Sequence, residues 1–569
     1  IVVLVPLAVA ILMTAKPKFN FEKDPVVSIE NVDDAEEDRI AKSLSGRSLF
    51  ITGGTGFLGK VLVEKLLRSC KEIQKIYLLV RPKKGKSPQE RIKEMFNNLF
   101  DLVKEQQGAA ILLRKVEAIY GDVMLPGFGI EENDLSTLQR EVSIIYHCAA
   151  TVRFDEPLRR AVFMNTRGTK YMLEIAATMK NLDLFAYVST AYCHLHVKTL
   201  YEIPYDPPAD PHSVIKACEW MSDKDVSIIE KNILGDIPNT YAYTKSLAEA
   251  LVVEKFKELP AVILRPSIVI PIWKEPIPGW TDNINGPTGL LIGAGKGVIR
   301  TMYCNSSAFG DFLPVDIAVN AIMVASWNWL STGIDGTSRI MHMTSSNDIK
   351  VSWAEIITLG RWVIENKVPL NGVVWYPGGS MKSNYYLHYF CMIMFHWLPA
   401  VFLDALLLLC RVQNRISKGF EVFEYYANNV WNFDNAEALK LRRLMNKKER
   451  LTYVIEKIDL DLIDYFTQCV ICSRRYILKE GDETIPAARR HMKIMWCVDK
   501  VVKALWIFGF GYIFYKWVLS DFLNRIYLLF TSNVRFNISH RFPNISRRFS
   551  KPSNIDQLLG AGFYHECVA

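Results

Sequence analysis

The stretch Ser48-Leu-Phe-Ile-Thr52-Gly-Gly-Thr-Gly-Phe-Leu-Gly59 decides the fold. Its short apolar run predicts a strand, its glycines a tight turn, and the residues from Phe57 onward an amphipathic helix. Gly53, Gly56 and Gly59 read as GxxGxxG, and Gly54, Gly56 and Gly59 also satisfy GxGxxG. Alone the pattern is weak; between a strand and a helix it marks a loop that cradles a pyrophosphate. One glycine makes the turn, one lets the backbone approach the phosphates, and one lets helix and strand pack closely. The helix start adds free N–H groups and the positive end of its dipole. Gly53, Thr55, Gly56, Phe57, Leu58 and Gly59 are therefore candidate cofactor contacts. The alternative is a tight turn that holds no ligand.

Outward from this loop the apolar runs repeat: Ile76–Val80, Val116–Tyr120, Val142–His147, Leu184–Val188 and Ala261–Leu264. Helical stretches separate most of them, which predicts an α/β fold with a Rossmann-type doubly wound parallel sheet and right-handed crossovers. The second strand runs into Val80-Arg81-Pro82-Lys83-Lys84-Gly85-Lys86. An NAD enzyme places an acid about 20 residues past the glycines to hold the ribose 2′-OH. Here cations stand instead, and a guanidinium grips phosphate oxygens as a fork. Arg81 and Lys84 thus point to the 2′-phosphate of NADPH, against the alternative of a solvated basic loop. Asp122 and Val123, after the third strand, are candidates for the adenine edge. His147-Cys-Ala-Ala150 follows the fourth, where the small Ala149, with Thr151 beyond it, permits close cofactor approach.

Thr240-Tyr-Ala-Tyr-Thr-Lys-Ser-Leu-Ala-Glu249 sets Tyr241 and Lys245 four residues apart, on one face of a helix. Carbonyl reduction needs a proton donor for the developing alkoxide. A tyrosine with pKa near ~10 is a poor one unless a neighbouring ammonium favours its phenolate. Tyr243 is the rival, but its offset from Lys245 turns it to another face. Val188-Ser-Thr-Ala-Tyr192 supplies Ser189 and Thr190, either of which could hydrogen-bond the substrate oxygen. Each element is weak alone; loop, hydroxyl pair and Tyr–Lys pair in this order form a strong constellation. Cys148 and Cys193 stand near the same strand ends. Neither has an activating base in a helix-start setting, and His194 and His196 beside Cys193 do not by themselves make a dyad.

Composition sets the wider frame. The chain has 569 residues, half of them hydrophobic, and a formal charge of +8. So small a basic excess suits anionic cofactors or lipid surfaces and does not argue for nucleic acid. Eleven scattered cysteines fit a reducing compartment. Cys469 and Cys472 form a CxxC without a second ligand pair, so no metal is expected. Ile1–Met13 is apolar, too short to span a bilayer, and starts without Met, as a fragment or imperfect gene model would. Residues 14–45 are charged and unpatterned. The predicted organisation is a mostly disordered leader over 1–45, an NADP-binding reductase domain over 46–370, a mainly helical C-terminal domain over 371–480, and a membrane segment with a basic tail over 481–569. Leu387–Leu409 is apolar but carries His388, His396, Pro399 and Asp404, which favours a docked or interfacial hairpin over a span. Val501–Ser520 reaches the ~20 residues of a membrane-inserting helix, with Trp506, Tyr512, Tyr515 and Trp517 as an interfacial belt. A single crossing would put the basic tail on the wrong side by the positive-inside rule, which a re-entrant or monotopic arrangement avoids. Sequons at Asn537 and Asn544 offer a topological test.

With those residues quoted, the chain resembles the eukaryotic fatty acyl-CoA reductases, insect members especially. The matching stretches are ITGGTGFLGKVLVEKLLR (51–68), YVSTAY (187–192), NTYAYTKSLAE (239–249), LRPSIV (264–269) and DFLPVDIAVN (311–320), with ISKGFEVFEYYANNVWNFDN (416–435) suggesting a male-sterility-type C-terminal domain. The resemblance covers most of residues 45–475. It implies NADPH-dependent reduction of a long-chain acyl-CoA, through a hemithioacetal and an aldehyde, to a primary alcohol. It implies Tyr241 as acid, Lys245 as its activator, Thr190 rather than Ser189 as the hydroxyl partner, and Pro266 and Ile268 beside the nicotinamide. It also implies a membrane-associated enzyme of lipid metabolism and wax biosynthesis, its catalytic domain facing the cytosol at the endoplasmic reticulum or peroxisome. An apolar tunnel for the acyl chain is expected from residues 205–235 and the C-terminal domain. The competing readings are a sterol-type dehydrogenase or nucleotide-sugar epimerase on the same scaffold, and a catalytically silent membrane adaptor.

Overall fold

The computed structural model describes residues 36–83, 85–284, 286–333, 338–345, 350–393, 423–455, 460–519, 522 and 525–529. Seven strands form one parallel sheet: β1 (Ser48–Thr52), β2 (Lys75–Val80), β3 (Val116–Tyr120), β4 (Val142–His147), β5 (Leu184–Val188), β6 (Ala261–Pro266) and β7 (Ile340–Met343). Their spatial order is β7-β6-β5-β4-β1-β2-β3. The direction of winding reverses between β1 and β4. In such sheets ligands bind outside the carboxyl ends of the strands at that switch point. The glycine loop leaves β1 there.

Helices cover both faces, and this is why the strands read as unbroken apolar runs. Along β5, Leu184, Ala186 and Val188 enter one core cluster, and Phe185 and Tyr187 enter the other. Helices α1 (Phe57–Ser69), α2 (Thr240–Glu254), α3 (Pro287–Gly295), α4 (Val315–Thr332), α5 (Trp353–Asn366), α6 (Leu462–Cys472) and α7 (Ile485–Phe514) carry the rest of the argument. Helices α1 and α4 pack together on the first face. Helix α2 supplies Tyr243, Leu247 and Leu251 to the second.

The chain divides into two compact units, residues 1–492 and 493–569. Within the first, packing runs straight across the compositional change near residue 370. Leu441, Met445, Tyr453 and Cys472 join the same core as Val61 and Leu62 of α1. Asn432–Phe433 pairs in parallel with Thr199–Leu200, and Ser380–Lys382 with Thr301–Tyr303.

Two expectations change. Residues 36–45 are not leader. They include the short helix Arg39–Ser43, and Arg39 grips the fully buried Glu449 carboxylate through Nε at 2.9 Å and Nη2 at 2.6 Å. The partner lies some four hundred residues away, out of reach of any local pattern. Second, no helix among the described residues is long and apolar enough to cross a membrane. The expected Val501–Ser520 insertion forms the end of α7 and a wider-turn helix, Tyr515–Leu519, with Ser520 outside the described residues. Lys503 and Lys516 interrupt it, and the apolar run between them falls short of the ~20 residues a span needs. Residues 1–35, Lys84, most of the Leu387–Leu409 stretch, and the tail with both sequons lie outside the described residues.

Candidate active site

Gly53 ends β1 with a left-handed φ of +74°, and a Cβ there would stand 2.8 Å from the backbone N of Ala149. A Cβ on Gly59 would stand 2.3 Å from the Gly53 carbonyl. Backbone alone therefore fits in this loop, as a pyrophosphate cradle requires. Gly56 donates its N–H to the Gly53 carbonyl at 2.9 Å and caps α1 without any side chain. The first N–H groups of the helix, at Phe57, Leu58 and Gly59, are thus presented at an uncapped N-terminus. Ala149 is fixed beside the loop by donating its N–H to Thr52 Oγ1 at 3.2 Å.

At the end of β2, Arg81 Nη1 donates to Asp122 Oδ2 at 3.2 Å. A second guanidinium stands beside it: Arg91 donates to the Arg81 carbonyl at 2.6 Å and to Thr55 Oγ1 at 3.1 Å. Burial, and then the charge of Arg81, lower the pKa of Arg91. Two like charges held side by side next to the phosphate loop suit a bound anion. The cradle and this cationic pair fit a nicotinamide dinucleotide carrying a 2′-phosphate. Lys84 lies outside the described residues. Val123, behind Asp122, is buried in the second core cluster. Arg91 was not singled out from the sequence, because it enters from the helix Pro88–Met95, beyond the basic turn.

Tyr241 stands in the first turn of α2, whose N-cap Asn239 accepts from Ala242 N at 2.9 Å and donates to Tyr426 Oη at 2.8 Å. Tyr241 lies beside Thr190. Burial raises the Tyr241 pKa, and the neighbouring Thr190 side chain works in the opposite direction. Thr190 Oγ1 accepts from Tyr192 N at 3.2 Å. Ser189 Oγ is buried with no hydrogen-bond partner among the described residues. Tyr243, the rival tyrosine, is packed in the second core cluster.

One turn along, Lys245 Nζ donates to the Val188 carbonyl at 2.6 Å and to Tyr187 Oη at 3.2 Å, and lies 4.6 Å from the Tyr187 ring centre. Burial lowers its pKa to about 8, opposed by Cys148 and Glu249. The expectation that the ammonium pulls the Tyr241 pKa down is not met here. The amine turns toward β5, and burial of the phenol dominates. Tyr187 as the lysine's partner was missed, although it begins the quoted YVSTAY stretch.

A further turn along α2, Glu249 is buried and forked by Arg265 through Nε at 3.0 Å and Nη2 at 2.7 Å. His194 Nε2 lies 3.2 Å, and Cys193 Sγ 3.3 Å, from its two oxygens. These three potential ligand atoms lie within 4.8 Å of one another. The Arg265 fork already meets the carboxylate's charge, so the cluster reads as an ion-pair lock between α2 and β6. Cys148 is pushed up to about 12 by burial, which leaves it a poor nucleophile. Asn165 supplies a second tie: it accepts from Thr151 N at 2.8 Å and donates to Thr244 Oγ1 at 2.9 Å. Nothing in the sequence marks it, since it sits in the wide-turn helix Val162–Arg167, whose backbone departs from ordinary helical periodicity. Pro266 accepts from Ala191 N at 2.9 Å, and Ile268 N donates to the Asp311 carbonyl at 3.0 Å. That holds the expected nicotinamide-side residues next to the Ser189–Thr190 corner.

An apolar cavity is lined in part by the C-terminal region, with Phe423, Leu462, Tyr465, Phe466 and Cys469 on its wall, but not by residues 205–235. The helices of the 205–235 segment, Pro211–Trp220 and Asp223–Leu234, contribute no wall to it. They pack instead against residues 158–167.

Two sequence-family models, both described as male sterility protein, match residues 51–322 and 395–480. Fatty acyl-CoA reductase 1 of Rattus norvegicus is 38% identical over 465 residues, covering 80% of this chain and 89% of that protein. The Homo sapiens fatty acyl-CoA reductase 1 is 37% identical, with the same coverage. Fatty acyl-CoA reductase 2 of Bos taurus is 33% identical over 464 residues, again 80% and 89%. Among solved structures, the terminal R domain from the myxalamid PKS-NRPS pathway aligns with a TM-score of 0.52 at 20% identity, over 76% of this chain and 92% of that one. A thiolation-reductase di-domain from an archaeal non-ribosomal peptide synthetase gives 0.51 at 18%, over 78% and 81%. At such identities the structures speak for the fold alone. The relatives extend over nearly their whole length, and the chain belongs to the fatty acyl-CoA reductase family.

Proposed function

We propose that the protein reduces long-chain fatty acyl-CoA to the primary alcohol, using NADPH and passing through an aldehyde-level intermediate. The observation that carries this reading is the placement of Tyr241 beside Thr190 at the carboxyl edge of the sheet, next to a glycine cradle backed by two guanidiniums. A bound NADPH would supply hydride to the thioester carbonyl and, after loss of CoA and exchange of NADP⁺ for a second NADPH, that second cofactor would supply hydride to the aldehyde. Tyr241 gives its proton to the developing alkoxide. Thr190 hydrogen-bonds the same oxygen, with Ser189 as the spare donor one residue away. Lys245 supplies positive charge behind the tyrosine and ties α2 to β5 through the Val188 carbonyl. The phosphate end is held by Gly53, Thr55, Gly56, Phe57, Leu58 and Gly59, with Arg81, Arg91 and Lys84 toward the 2′-phosphate and Asp122 and Val123 toward the adenine. Ala149, Thr151, Pro266 and Ile268 border the rest.

The same reading keeps the reductase domain at 46–370 and the male-sterility-type domain at 371–480 as units of family organisation. It places the protein at a membrane, with its catalytic domain facing the cytosol. Support comes from the second unit, where Ile507, Phe508, Tyr512, Tyr515 and Trp517 are exposed, a composition suited to the lipid interface.

The test is to incubate membranes from expressing cells with hexadecanoyl-CoA and NADPH, beside a Tyr241→Phe control, and to identify the lipid. Hexadecanol that requires NADPH and vanishes in the control supports the assignment. A folded, NADPH-binding protein that makes neither aldehyde nor alcohol rejects it in favour of the sterol-dehydrogenase or adaptor reading.

A further inference from the structure

The first unit holds an apolar cavity with an empty volume of about 1550 Å³, counting its open mouth. Chain segments far apart in sequence wall it. Ile270 and Phe312 belong to the reductase sheet's flank, Leu291 to α3, Gly360 to α5, and Phe466 and Cys469 to α6. The charged side chain on its wall, Arg361, is ion-paired with Glu365 at 2.8 Å. A phosphate-bearing group has nothing to bind there, whereas an alkyl chain does.

Two strands connect the cavity with the catalytic corner. Pro266, bonded to Ala191, leads into Ile268–Ile270, and Ile270 is cavity wall. That strand pairs with Phe312–Pro314. Asp311, lying between the wall residues Gly310 and Phe312, donates its N–H to Tyr192 Oη at 3.2 Å. Tyr192 is two residues beyond Thr190. The cavity wall is thus tied to the catalytic corner through the strand Ile268–Ile270 and through the Asp311–Tyr192 bond.

Gly360 adds an observation of its own. It lies inside α5, where alanine would stabilise the helix by about 1 kcal/mol over glycine. A Cβ there would stand 2.7 Å from Leu291 Cδ1 and 3.8 Å from the Phe466 ring. The missing side chain lets Leu291 of α3 lie directly against the α5 backbone at the cavity wall, so any side chain added there would have to displace it. We propose that this cavity receives the acyl chain of the thioester, and that Gly360 on α5 and Ala294 on α3, both on its wall, set the chain length accepted. This assignment rests on the reductase reading above. It gives the C-terminal segment a direct part in substrate selection, through α6.

The experiment uses the full-length protein and hexadecanoyl-CoA carrying a diazirine at the terminal carbon, with peptide mapping after photolysis. Label is expected within residues 353–366 and 462–472. Label confined to 205–235, or to exposed surface, overturns the proposal. In parallel, Gly360→Leu and Ala294→Leu are assayed with hexadecanoyl-CoA and decanoyl-CoA. The ratio of their kcat/KM values should fall about 10-fold or more, since each methylene excluded from an apolar site lowers binding several-fold. Unchanged ratios in folded variants overturn it as well. The labelling needs only the unaltered protein, so a variant that fails to fold leaves the test intact. Failure of the wild type to reduce hexadecanoyl-CoA would defeat the reductase reading itself. Normal reduction with label elsewhere would defeat only the cavity assignment.

Discussion

The carboxyl edge of the sheet and the apolar cavity are neighbours in space and opposites in construction. The edge is assembled from contiguous stretches, Thr52–Gly59, Val188–Tyr192 and Asn239–Glu249, each carrying its own local geometry. The cavity is assembled from single side chains on helices nearly two hundred residues apart, from Leu291 to Cys469. Reaction chemistry needs a few polar atoms fixed to within a fraction of an ångström, so it is concentrated in short rigid turns. Shape selection needs only an apolar boundary, which any suitably placed helix face can supply. Damage at the edge should therefore abolish turnover or cofactor binding, and damage at the cavity should change which substrate is preferred.

The largest expected effect is at Tyr241. Tyr241→Phe should lower kcat by about 10²–10⁴-fold, the usual contribution of a positioned acid, while NADPH binding followed by fluorescence is retained. A mild loss would move the proton donor elsewhere along the edge. Next comes the cationic pair. Arg91→Ala should weaken NADPH binding about 10-fold or more and affect NADH binding much less, because its main loss is a charge-assisted bond to the 2′-phosphate that NADH lacks. Equal losses for both cofactors would mean that Arg91 serves only to hold Thr55 and Arg81. The pH profile is a smaller effect. With Lys245 lowered to about 8 by burial, its ammonium is present below that pH and is lost as pH rises through it. The value of kcat should therefore decline above about pH 8, and a flat profile to pH 9.5 would remove the ammonium from the mechanism. The smallest effect lies away from both regions. Glu449→Gln weakens the tie to Arg39, and about 1–3 kcal/mol of stability should be lost with no change in substrate preference. Thermal unfolding reads it directly.

The same contrast explains how much was legible beforehand. The Rossmann sheet and the positions of Gly53, Thr190, Tyr241 and Lys245 could be read because strand runs, glycine turns and an i,i+4 pair are local patterns. Arg91 was invisible because its approach to Thr55 depends on how the helix Pro88–Met95 folds back. Asn165, Glu249 and Arg265 were invisible because each acts only through a partner brought up by the sheet. Of the two regions expected to build the tunnel, the C-terminal domain lines the apolar cavity and the helices of 205–235 pack elsewhere. For the membrane segment, apolar length and the idea that Lys503 and Lys516 snorkel outweighed their effect as interruptions of the run. The Arg39–Glu449 clasp shows the same limit at the start of the described chain.

One isotope measurement bears most directly on the central claim. Hexadecanoyl-CoA is incubated with NADPH deuterated at the transferring position of its nicotinamide, and the alcohol is analysed by mass spectrometry. If one site carries out both reductions, the product holds deuterium at both C1 positions of hexadecanol, and Tyr241→Phe makes none. Alcohol with a single C1 deuterium, or labelled aldehyde that never proceeds to alcohol, would contradict reduction to the alcohol by this protein alone.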